Sequence, residues 1–79
     1  MARLGYYANR VTETKGLEHT MCVRTLRVYI KTTPQGELLS EIDMFSKTEH
    51  LRALWEAGLN SVLQAAVLRR MEEIIERRR

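Results

Sequence analysis

Cysteine, proline, tryptophan and phenylalanine each occur once in these 79 residues. A lone Cys22 makes no internal disulfide, and no secretory leader pattern is present, so the sequence predicts a reducing cytoplasm. No apolar run approaches the ~20 residues of a membrane span, which predicts a soluble chain. The four glycines, Gly5, Gly16, Gly36 and Gly58, stand apart and build neither a P-loop nor a dinucleotide fingerprint. His19 and Cys22 are three apart and His50 is distant, too few ligands for a metal site. Neither a metal nor another cofactor is expected. No single sign of charge dominates. Thirteen Lys and Arg against ten Asp and Glu give +3. The broad cationic stripe of a dedicated nucleic-acid binder is missing. The terminal Arg77, Arg78 and Arg79 suit the C-terminal end of a helix dipole.

What is present describes one small folded domain over residues 1–79. An apolar content of 44% excludes a disordered chain. A chain of this length buries only ~60% of its unfolded surface, so its core leans on a partner or on a self-dimer. Leu4, Tyr6, Tyr7 and Val11 predict a strand over 3–11, with one of the adjacent tyrosines facing solvent or a partner. Cys22, Leu26, Val28 and Ile30 share one face of a second strand over 21–32, with Thr25, Arg27, Tyr29 and Lys31 on the other. Thr33-Pro34-Gln35-Gly36 reads as a turn into a third strand over 37–45. That register sets Val28 against Ile42, Leu26 against Met44, Tyr29 against Glu41 and Arg27 against Asp43.

The remainder predicts helices over 47–57 and 61–77. Ser46-Lys47-Thr48-Glu49 fits a capping box, and Leu51, Leu54 and Trp55 follow as core. Gly58 ends this helix or lies within one longer helix, and Asn60 or Ser61 caps the next. Leu63, Val67, Met71 and Ile74 form its buried stripe, with Glu73 and Arg77 paired outside. The expected fold class is α+β: an antiparallel sheet, made of an N-terminal strand and a long hairpin, with two C-terminal helices on one face.

Catalytic chemistry is not indicated. Glu41 and Asp43 would lie ~7 Å apart on one strand face, but Arg27 and Tyr29 face them as pairing partners. The informative surface is the uncovered sheet face. Tyr6, Tyr7, Arg27, Tyr29, Lys31 and Glu41 are the candidate partner-binding residues, since tyrosine and arginine are favoured at interfaces and mixed charge gives specificity. These features predict a non-enzymatic binding protein.

Three resemblances sharpen that expectation. Phe45, Thr48, Glu49 and Leu51, the following Leu54-Trp55, and Met71-Glu72-Glu73-Ile74 resemble motifs of a small phage-encoded type I-F anti-CRISPR family over residues 27–77. That resemblance implies a sheet face that binds the repeated Cas backbone subunits of the surveillance complex and blocks target DNA. Tyr6 stands where that family has a contacting tyrosine on its first strand. Leu38 to Met44 followed by Glu56-Ala57-Gly58-Leu59-Asn60-Ser61 is similar to ribbon-helix-helix repressors. The order of elements also resembles the three-stranded-sheet DNA-binding domain of integrase N-termini. Both of these imply a small DNA-binding regulator. Glu41 and Asp43 would face phosphates there, which places DNA binding second.

Overall fold

The computed structural model describes residues 3–78, and among them there is no strand. The chain forms five helices: α1 Arg3–Glu13, α2 Gly16–Thr32, α3 Gln35–Asp43, α4 Thr48–Ala57 and α5 Ser61–Arg77. The expected α+β sheet is therefore corrected to an all-helical fold. The segments 3–11, 21–32 and 37–45, read as strands, lie in α1, α2 and α3 except for their last residues beyond Asp43.

The core shows why. Leu4, Ala8 and Val11 are buried at spacings of four and three, one face of α1. Leu26 and Ile30 are buried in α2, and Leu38 and Ile42 in α3, each pair four apart. Four residues is two strand repeats and also about one helical turn, so these pairs fit either structure. The residues two places away decide it. A strand turns Val28 and Met44 inward, but they are 54% and 73% exposed.

Pro34 does not make a hairpin turn. Thr33, just before it, is extended (φ −99°, ψ 136°), as the proline ring requires, and α2 stops there. The Pro34 carbonyl then accepts from Glu37 and Leu38 N–H and opens α3. Gly36 is an ordinary residue of that helix; among the described residues positive φ occurs only at Gly16 (65°) and Gly58 (99°). Gly58 ends α4, and its φ is open to glycine alone at little cost, so α4 and α5 are two helices rather than one.

Asn60 caps α5, its side-chain oxygen accepting Leu63 N–H at 2.9 Å. Lys47, not Ser46, occupies the cap position of α4, and it makes no side-chain cap bond, so the expected capping box is absent. Leu63, Ala66, Val67 and Ile74 are buried on α5, and Met71 packs beside them. Glu73 lies 3.8 Å from Arg70 rather than pairing with Arg77. Trp55, expected in the core, is 42% exposed.

Helix α1 packs on α2, α3 and α4; α4 also packs on α2 and α5; α5 rests on α3. Side-chain bonds fasten the joints. Arg70 donates to the Phe45 carbonyl at 2.8 Å, tying the end of α3 to α5. Asn9 of α1 meets His50 of α4 at 3.1 Å. No helix among the described residues is long and apolar enough to cross a membrane.

Candidate partner-binding face

The six candidate residues fall into two groups. Tyr6 and Tyr7 are neighbours on α1, so they diverge by about 100° instead of taking opposite faces of a strand. Tyr6 is 62% exposed, while Tyr7 packs against the core. Their rings meet edge to face, centroids 5.5 Å apart. Tyr7 in turn meets Tyr29 of α2 at 5.1 Å. Both separations lie in the range where aromatic pairs attract beyond their buried area.

Tyr29 ends the row on a carboxylate. Its hydroxyl donates to Glu41 of α3 at 3.2 Å (Oε2) and 3.3 Å (Oε1). Glu41 also accepts Leu4 N–H at 3.3 Å, a free donor in the first turn of α1. One acid thus joins three helices. Burial raises the Tyr29 phenol above its usual 10.0, and the neighbouring Glu41 charge adds to the rise. The phenol stays protonated and keeps donating throughout the neutral range.

A shallow groove of about 760 Å³ adjoins this row, lined by Tyr29, Pro34, Gly36, Glu37, Ser40, Glu41 and Met44. Met44, expected inside, stands at its rim. A flexible thioether beside tyrosines is the chemistry of an adaptable protein contact. Nothing in the sequence pattern alone marked Met44, because its exposure follows only from the helical period of α3.

Arg27 and Lys31 lie elsewhere. Four apart on α2, they line a second groove of about 750 Å³ together with Thr33, Gln35, Gly58 and Asn60. Arg27 Nε donates to the Ala57 carbonyl at 2.8 Å, so it serves the end of α4. The expected Arg27–Asp43 pair is absent; Asp43 meets Arg69 of α5 at 2.9 Å. Glu41 and Asp43 bond to different helices, which removes the paired-carboxylate arrangement.

His19, too isolated in the sequence to mark a metal site, bridges three helices. Its Nδ1 lies 3.0 Å from the Val11 carbonyl and 3.2 Å from that of Thr14, and its Nε2 is 2.9 Å from Glu56. Only the imidazolium can donate from both nitrogens. The Glu56 hydrogen bond raises its pKa above the usual 6.5, aided by the Glu56 charge and the two carbonyls against the desolvation. Glu56 is 37 residues away in sequence, so no local pattern revealed this tie. Cys22 is partly buried in a crevice with Tyr6, Tyr7, Arg10 and Thr25. No three His, Cys, Asp or Glu side chains cluster among the described residues.

Compared with known proteins, the chain matches no family model, no curated protein and no solved structure.

Proposed function

We propose that this chain is a non-enzymatic binding protein of a reducing cytoplasm that occupies a protein partner through the tyrosine-lined face of α1, α2 and α3. One observation carries the reading: an exposed Tyr6 and an exposed Met44 flank a tyrosine row that Glu41 holds rigid. Rigid aromatics lose little entropy on binding, and tyrosine and methionine are enriched in interface cores. The sheet face expected to make this contact is replaced by helices. Tyr6, Tyr7, Tyr29 and Glu41 stay in the contact or support it, while Arg27 and Lys31 leave it.

A type I-F surveillance complex is the first partner to try, because the resemblance of Phe45 to Leu51 and Met71 to Ile74 points there. Gel filtration of the protein with the guide-loaded complex, beside a mixed-sequence DNA duplex, tests the reading. Co-elution with the complex that is lost in Tyr6→Ala/Met44→Ala, with helicity unchanged, supports it. Co-elution that survives the double change means the face is wrong. Binding to the duplex alone, weakening steeply with salt, replaces it with a DNA-binding role. All three resembled families use strands and none exists among the described residues, so either role would rest on helices in place of its family's sheet.

A further inference from the structure

We propose that the outer face of α2 docks an amphipathic helix of a partner protein that carries two acidic residues seven positions apart. Leu17, Met21, Arg24, Val28 and Lys31 follow one another at spacings of four, three, four and three, and all five are exposed. That alternation is the spacing of a seam between two helices. The seam runs along the side of α2 opposite Leu26, so it is a second face, unrelated to the core. From Leu17 to Lys31 it covers about 21 Å, four helical turns.

The three apolar members are well exposed: Leu17 79%, Met21 62% and Val28 54%. They occupy an arc of only about 40° at 100° per residue. A helix lying in a membrane surface needs a much wider apolar face. A second helix needs only such a strip.

The two cations choose the occupant. Arg24 and Lys31 sit within the seam, seven residues apart, and neither has an acid within 4.0 Å among the described residues. The nearby acids are engaged, Glu18 with Arg10 at 3.9 Å and Glu56 with His19 at 2.9 Å. Two copies meeting α2 to α2 cannot answer them. Whether two α2 seams pair parallel or antiparallel, every facing residue is Leu, Met, Val, Arg or Lys. A charged residue in a seam fixes the register and demands its complement. The matching strip is therefore apolar, with acids one heptad apart.

The probe is a fluorescein-labelled synthetic helix of about three heptads, with Leu at its seam positions and Glu at two of them seven apart. Its control carries Lys in place of both Glu. Anisotropy titration should give at least about tenfold tighter binding of the Glu peptide, and amide shifts should map to Leu17–Lys31. Arg24→Glu with Lys31→Glu should reverse the preference, while helicity by circular dichroism stays unchanged. Met21→Ser should weaken the Glu peptide. Equal binding of both peptides, no binding, or shifts on other helices would overturn the proposal. So would self-association by sedimentation that Val28→Ser abolishes, or adsorption to phosphatidylserine vesicles without peptide discrimination. Tyr6→Ala should leave the titration unmoved, so this proposal and the tyrosine-face reading fail separately.

Discussion

Helices α2 and α5 both span 17 residues, yet they are held in different ways. Helix α5 buries Leu63, Ala66, Val67 and Ile74. Helix α2 buries only Leu26 and Ile30. What α2 lacks in burial it makes up in directed bonds: His19 to α1 and α4, Arg27 to the end of α4, Tyr29 to α3. Burial is indifferent to orientation and pH. Hydrogen bonds from ionisable groups fix both the rotation and the conditions of attachment. The difference explains how α2 can leave a large outer face uncovered and still sit in one orientation.

Deleting a core side chain should distinguish the two helices most strongly. Leu63→Ala on α5 should cost about 3 kcal/mol in urea unfolding, from lost transfer energy plus a cavity. A loss below about 1 kcal/mol would mean that α5 is not held by burial. On α2, Arg27→Met keeps an apolar stem and leaves the Ala57 carbonyl without its donor. It should cost about 1 kcal/mol, and amide exchange should quicken at the end of α4. If exchange there is unchanged, Arg27 does not anchor that end.

The His19 tie should make the attachment of α2 depend on pH. Its folded-state pKa lies above the unfolded value of 6.5, so its stabilisation is full below 6.5 and is lost as pH rises through the folded-state value. The urea midpoint should be higher near pH ~5.5 than near pH ~8.5 by a margin that His19→Gln removes. The groups that face it are Glu56 from α4, the Val11 carbonyl from α1 and the Thr14 carbonyl just after it, with Arg24 and Arg27 in the same crevice. An unchanged margin in His19→Gln would assign the effect to groups other than His19. The smallest effect belongs to Val28→Ser, which should stay within about 0.5 kcal/mol because the side chain is already in water. A hairpin with Val28 opposite Ile42 would lose far more.

That last substitution marks where the sequence misleads. The C-terminal segments read as helices because Leu51 and Leu54, and then Leu63, Val67, Met71 and Ile74, recur at three and four, which no strand reproduces. Between Cys22 and Ile42 the recurrences are fours, at Cys22, Leu26 and Ile30 and again at Leu38 and Ile42. With alternating Val28 inserted and Pro34-Gln35-Gly36 between them, the strand pattern was the stronger local signal. Ala8, a small residue fully buried on α1, was the missed counterweight. Part of the candidate face was nevertheless legible. The Tyr29–Glu41 contact expected across a hairpin exists between helices, because α2 ends and the chain turns at Thr33-Pro34 in either case. Arg27 and Lys31 followed Tyr29 onto that face only under a period of two. The bonds of His19 and Arg70 reach over 37 and 25 residues, and no local pattern carries them.

The exposure of Trp55 has an optical consequence. A single indole that stands 42% in water meets solvent on one side while the chain is folded. Its emission therefore responds to anything that settles over α4. The packed rings of Tyr7 and Tyr29 are the opposite: their near-ultraviolet dichroism exists only while α1 and α2 hold them 5.1 Å apart. The molecule thus carries two separate chromophores, one that reports on visitors and one that reports on its own integrity.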